Sequence, residues 1–65
     1  MKLHVWKIVR KDDGTFEIFH KGNLLKTSIP EKWLEAGLAE YGFCGQEYHD
    51  IRRQLELHGR AERVL

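Results

Sequence analysis

The segment LHVWKIVRKDDGTFEIFHK (residues 3–21) has the composition of a β-hairpin. β-Branched and aromatic residues fill both arms, and Asp-Asp-Gly between the arms is typical of a tight turn. A two-residue loop at Asp13 and Gly14 would place Val9 opposite Ile18, because the loop length fixes the pairing of the strands. In this register one face of the hairpin is apolar and is expected to face the core. That face carries Leu3, Val5, Val9, Phe16 and Ile18.

The other face of the predicted hairpin is also partly apolar, since it carries Trp6, Ile8 and Phe19 between charged neighbours. A sheet that is covered by helices on one side should be apolar on that side only. A second apolar face with a charged rim is typical of an interaction surface. Leu57 extends this set, because it projects away from the apolar stripe of its helix. We therefore predict an interface formed by Trp6, Ile8, Phe19 and Leu57, unless the C-terminal tail or a helix covers that face.

The segment after the hairpin predicts a short third strand and a first helix. A tight turn at residues 21–23 leads into the strand. Ser28 followed by Glu31 fits a capping box, which would start a helix that stops at Gly42. Gly37 inside this helix costs about 1 kcal/mol relative to alanine. We expect that another backbone approaches the helix closely at that position.

A second helix is predicted over residues 46–58, with Gly59 at its C-terminal end. One stripe of this helix is apolar and is expected to face the core: Tyr48, Ile51 and Leu55. In the tail at residues 60–65, Ala61, Arg63 and Leu65 alternate with Glu62 and Val64, a pattern that favours an edge strand returning to the hairpin. A third short helix is the alternative for this tail.

These elements predict one α+β domain over residues 1–65, with a two- or three-stranded antiparallel sheet and two helices packed on one face. A domain of 65 residues is marginally stable unless a disulfide, a metal or self-association supports it. A single cysteine excludes an internal disulfide. No segment approaches the roughly 18 consecutive apolar residues of a membrane span. The sequence therefore favours a cytoplasmic protein that forms homo-oligomers or binds a protein partner.

The sequence between the two predicted helices supports an alternative function. The segment LAEYGFCGQEYHDI (residues 38–51) resembles a helix-turn-helix, with Gly42 as its turn glycine. The resemblance, which extends over residues 34–55, implies a nucleic-acid-binding regulator. Its candidate contacts are Gln46, His49, Arg52 and Arg53. Against this, the net charge is only +1, and acidic residues interleave with the arginines as on an ordinary solvated helix.

Cys44 and the histidines raise a second alternative, a metal-dependent or cysteine-dependent activity. The pattern predicts that Cys44 is buried on the same stripe as Tyr48, whereas His49 points to water. A cysteine–histidine pair needs side chains within hydrogen-bond reach, which this arrangement does not provide. The histidines and Cys44 also lack the close spacing of typical metal ligands.

We therefore predict a non-catalytic interaction module that self-associates through its apolar hairpin face. The prediction includes no catalytic residue, no metal ligand and no cofactor. The nucleic-acid regulator and the metal-dependent or cysteine-dependent activity remain the two alternatives.

Overall fold

A four-stranded antiparallel sheet and two helices form the fold in the computed structural model, which describes residues 5–64. The strand order is β3-β2-β1-β4, so the first described strand is central and the last lies beside it, with Val5 opposite Val64. The predicted α+β class and the C-terminal strand are confirmed. The expectations for Leu3 and Leu65 fall outside the described residues. The elements in chain order are β1 (Val5–Arg10), β2 (Phe16–His20), β3 (Asn23–Ile29), α1 (Glu31–Ala39), α2 (Gln46–His58) and β4 (Arg60–Val64).

The hairpin loop between β1 and β2 has three residues, 12–14, instead of the two that were predicted, and Lys11 and Thr15 pair on either side of it. Lys11 N donates to Thr15 O at 2.7 Å, Gly14 N donates to Lys11 O at 3.0 Å, and Gly14 has a φ of 85°. This is a turn followed by a left-handed glycine, a common three-residue hairpin loop. The Asp13 carboxylate accepts hydrogen bonds from the Thr15 hydroxyl at 2.6 Å and from the Thr15 backbone N–H at 2.9 Å. These bonds lower the pKa of Asp13 and hold the loop in place.

The longer loop shifts the strand register by one residue, and Ile8 therefore lies opposite Ile18. The prediction that Trp6 and Ile8 face outward is wrong, because a one-residue shift moves every side chain of β1 to the other face of the sheet. Ile8 is fully buried beneath the helices, and Trp6 packs against the same core. Conversely, the two β1 valines that were expected in the core face outward: Val5 and Val9.

β3 follows a two-residue turn in which Lys21 and Gly22 both have positive φ angles, 53° and 82°. Its pairing with β2 shifts at two places, and Ser28 lies at one of these irregularities with a φ of 56°. The strand continues to Ile29, and α1 then begins without a side-chain cap. The predicted capping box is therefore wrong, because Ser28 still belongs to the bulged strand.

A glycine at position 28 should stabilise the protein. A left-handed conformation costs a non-glycine residue roughly 1–2 kcal/mol, and a glycine avoids this cost. Part of the gain is offset, because glycine also makes the unfolded chain more flexible and so raises the entropy lost on folding. We expect Ser28→Gly to raise the free energy of unfolding by about 0.5–1 kcal/mol in urea denaturation. Ser28→Ala, which removes the hydroxyl but keeps the strain, should give no gain. A glycine variant no more stable than the alanine variant would contradict this account.

Both helices lie on one face of the sheet, where α2 packs on β1 and β4 while α1 packs against β3 and α2. Gly37 of α1 is buried, and the atoms within 4 Å of a β-carbon built there belong to the Ile29 side chain, the nearest at 3.8 Å. The expected close approach of another backbone at Gly37 is therefore wrong, because a β-carbon there would make only ordinary van der Waals contacts with a side chain. The buried core consists of Ile8, Phe16, Ile18, Ile29, Leu34, Leu38, Phe43, Tyr48, Ile51, Leu55 and Ala61.

The second helix has the predicted bounds and ends at Gly59, whose φ is 74° and whose N–H donates to Leu55 O at 2.8 Å. Cys44 is exposed, so its predicted burial is wrong. The helix begins only at Gln46, and the loop before it buries Phe43 instead. Within residues 5–64, neither helix is long and apolar enough to cross a membrane.

Candidate functional site

The face of the sheet opposite the helices, which we call the open face, is the main candidate site. Lys7 lies opposite Phe19 on one side and opposite Glu62 on the other, and Phe19 lies opposite Leu24. Residues directly opposite in an antiparallel sheet share a face. Alternation along each strand then defines the open face as Val5, Lys7, Val9, Glu17, Phe19, Leu24, Thr27, Arg60, Glu62 and Val64.

Much of the open face is apolar, whereas a sheet face that only meets water is usually polar. Three of these apolar side chains are clearly exposed: Val5 (37%), Leu24 (50%) and Val64 (57%). Phe19 is half-buried and lies between Lys7 and Leu24 in one row across the sheet. An apolar surface with a polar rim marks an interaction site. We call its members the apolar patch: Val5, Val9, Phe19, Leu24 and Val64.

The charges on the open face balance, because Lys7 and Arg60 are accompanied by Glu17 and Glu62. Glu17 accepts a hydrogen bond from the Thr27 hydroxyl at 2.8 Å. The ammonium group of Lys7 forms no ion pair or hydrogen bond with any residue from 5 to 64. Lys7 thus places inside the apolar patch a positive charge that no residue from 5 to 64 neutralises.

Both edges of the sheet are poorly suited to pairing with a further strand. The β3 edge is interrupted by its two irregularities, and bulges of this kind discourage strand addition. At the start of β4, the Gly59 carbonyl oxygen accepts a hydrogen bond from the Arg10 N–H of β1. In an antiparallel pair only every second residue bonds to the neighbouring strand, so the backbone of Ala61 faces β1. The N–H of Glu62 therefore points outward, to the open edge of the sheet. Gln54 of α2 accepts that N–H through its Oε1 at 3.2 Å. An ion pair from Arg63 to Glu47 also ties β4 to α2.

Removing the Gln54 amide should reopen the β4 edge. In Gln54→Ala the N–H of Glu62 loses its protein acceptor, and we expect its hydrogen exchange to accelerate by up to about tenfold. Light scattering should also show slow growth of larger species on standing, because an unpaired edge recruits other strands. Gln54→Glu retains an acceptor and is the control. Equal exchange rates in the alanine variant and the natural chain would show that Gln54 does not protect the edge.

Two of the predicted interface residues, Trp6 and Ile8, lie on the helix side of the sheet instead. Trp6 stacks on His20 with ring centroids 4.1 Å apart and an angle of 19° between the planes. Its ring also contacts Tyr41 at 5.1 Å and Phe43 at 5.2 Å, and Ile8 is fully buried. This aromatic cluster fills the space between the sheet and the loop that joins the helices.

Leu57 is 69% exposed on α2, in the helix layer, and therefore lies on the opposite side of the molecule from Phe19. Of the four residues predicted to form the interface, the structure places only Phe19 on the open face. The sequence prediction assigned Val5 and Val9 to the core and left Leu24 and Val64 unassigned. The strand-like alternation in the tail is the signal that could have placed Val64 on this face.

Arg52, a predicted nucleic-acid contact, is engaged within the protein. Its guanidinium donates to the Tyr48 hydroxyl at 2.9 Å, forms an ion pair with Glu31, and lies 3.6 Å from a Glu56 oxygen. The hydrogen bond to Tyr48 and the neighbouring carboxylates raise the pKa of Arg52. This side chain links α1 to α2 and presents little free charge to a ligand.

The other residues from the two alternatives lie at the start of α2 and just before it. The Gln46 amide donates to Asp50 at 2.9 Å, whereas His49, Arg53 and Cys44 are exposed. In the part of the chain that the structure describes, no three His, Cys, Asp or Glu side chains are grouped so that they could hold a metal ion. Among the described residues, the open face is therefore the better candidate for a binding site than the residues of the two alternatives.

No protein-family model, curated protein or solved structure matches this chain. The function must therefore be inferred from its own residues and their geometry.

Proposed function

We propose that this protein is a non-catalytic interaction module that self-associates through the open face of its sheet. The observation that carries the proposal is the apolar patch on the side of the sheet opposite both helices. Burial of apolar surface is the main driving force for protein association. A second copy packed on this face would complete a layered structure in which both sides of the sheet are covered.

The sheet edges support association through the face. The bulges of β3 and the Gln54 contact on β4 discourage a partner strand at either edge. The balanced charges of the open face also allow two copies to approach without net repulsion. Self-association would moreover support a domain whose small size limits the apolar surface it can bury alone.

The dimensions of the sheet indicate a weak dimer. Four strands spaced about 4.8 Å apart, each five to seven residues long, offer a face on the order of 350 Å². This is smaller than the roughly 800 Å² per partner of a standard stable interface. We therefore expect dissociation at low protein concentration and a measurable dimer only at higher concentration.

Sedimentation equilibrium of the natural chain tests the proposal over a range from about 10 μM to about 1 mM, as suits a weak interface. The average mass should rise from the 7.7 kDa of one chain towards that of two. A mass that stays at one chain throughout this range would refute self-association.

The same samples can distinguish self-association from the nucleic-acid-binding alternative. A salt-dependent shift on adding duplex DNA, lost when Arg53 is replaced by alanine, would support the regulator instead. Arg53→Ala is the informative variant, because Arg53 is exposed whereas Arg52 also holds α1 and α2 together.

A further inference from the structure

We propose that Lys7 determines which partner the open face accepts, by pairing with Glu17 of a second copy of this chain. This inference rests on the proposed function and adds the partner and its orientation. It begins from the Lys7 ammonium group, which lies inside the apolar patch and pairs with none of the described residues. Val5 and Val9 flank Lys7 along β1, and Phe19 lies beside it on β2.

An apolar partner surface cannot cover Lys7 at low cost. Burying an ammonium group without a counter-charge is strongly unfavourable, although the aliphatic part of lysine packs well on apolar surfaces. A suitable partner must therefore combine apolar side chains with a carboxylate placed opposite Lys7. The open face of a second copy has this composition, because it carries Glu17 and Glu62 beside its own apolar patch.

The position of Glu17 makes it the better counter-charge. Glu17 is on β2, opposite Val9 of β1, and Lys7 is on β1, opposite Phe19 of β2. These two cross-strand pairs are neighbours on the open face, and both lie on the two central strands of the sheet. A two-fold axis between these positions brings each Lys7 over the Glu17 of the other copy and stacks the two sheets centrally. Pairing with Glu62 on the edge strand β4 would displace the second copy sideways and leave Phe19 and Leu24 uncovered.

Complementary charge changes test this orientation. Lys7→Glu alone and Glu17→Lys alone should each associate about tenfold more weakly than the natural chain, because like charges then face each other. An equimolar mixture of the two variants should recover association, since each mixed pair restores two opposite-charge contacts. Native mass spectrometry with one variant labelled with ¹⁵N distinguishes the mixed dimer from either homodimer.

Glu62→Lys mixed with Lys7→Glu is the matched control and should form no excess of mixed dimer. An excess in this control, or none in the Lys7→Glu and Glu17→Lys mixture, would overturn the orientation. If Phe19→Asp still abolishes the dimer in that case, self-association through the open face stands. If the natural chain remains monomeric throughout, both proposals fail, and a different protein with an acidic and apolar surface becomes the occupant to seek. Thermal unfolding monitored by circular dichroism verifies that each variant is folded.

Discussion

Phe19→Asp is expected to keep the protein monomeric at concentrations where the natural chain dimerises. Phe19 lies in the apolar patch between Lys7 and Leu24, so a dimer would bury two copies of its ring. Fully burying an exposed phenylalanine side chain contributes about 1.5–3 kcal/mol, and the half-buried Phe19 would gain about half of this in each copy. Losing two such contributions and adding two carboxylates should weaken association by at least about a hundredfold. Sedimentation equilibrium at the highest accessible concentration measures the effect directly.

Leu57→Asp is the control for this experiment, because it makes the same kind of change at a residue that is 69% exposed in the helix layer. Its dimerisation should match that of the natural chain. Leu24→Asp, at a position that is 50% exposed on the open face, provides a second disruptive variant with little risk to folding. If Leu57→Asp abolishes association while Phe19→Asp does not, the interface lies on the helices.

Ile8→Ala is expected to cause a large loss of stability, whereas Val9→Ala should cause a small one. Ile8 is fully buried between the sheet and the helices, and Val9 faces outward. Truncating a buried isoleucine to alanine costs about 2–5 kcal/mol, a large part of the total stability of a domain this small. For Val9→Ala we expect less than about 1 kcal/mol. Urea denaturation of the monomeric proteins at low concentration compares the two losses of unfolding free energy.

This pair of variants also tests the strand register. With a two-residue loop, Val9 would lie in the core and Ile8 outside, so the larger loss would come from Val9→Ala. An equal or inverted ranking would therefore contradict the three-residue loop.

The elements that local sequence determines were predicted well. The bounds of α2 follow from its apolar stripe and from Gly59, which adopts the left-handed conformation that ends the helix. The α+β class and the C-terminal strand follow from the change between alternating and helical patterns along the chain. These signals lie within a few residues of the structure they specify.

The hairpin register could not be obtained from local signals alone. Asp-Gly suits both a two-residue and a three-residue loop, since each has a glycine with positive φ. The observed loop buries Ile8 beneath the helices and packs the partly buried Trp6 against the core, a gain that depends on residues far along the chain. The same limit explains Cys44, whose burial was inferred by extending α2 back beyond Gln46.

The open face was predicted only in part, because its residues depend on the hairpin register. Either register gives the hairpin two partly apolar faces, so the existence of a second apolar surface could be inferred from composition. Its membership depends on the register, which changed the residues contributed by β1 and left Phe19 of β2 in place. Leu24 and Val64 could be added only after the pairing of β3 and β4 was known.

The pairing of Val5 with Val64 brings the first and last described strands together at one corner of the sheet. A domain with this layout can be inserted into a surface loop of a host protein without stretching the host backbone. The same layout permits circular permutation: a short linker could join Val64 to Val5, and new ends could be opened in the exposed loop at residues 12–14. In such a permutant β2 would leave the ribosome first and β1 last. The order of synthesis would be reversed for the central hairpin, while every strand pair of the folded sheet was kept.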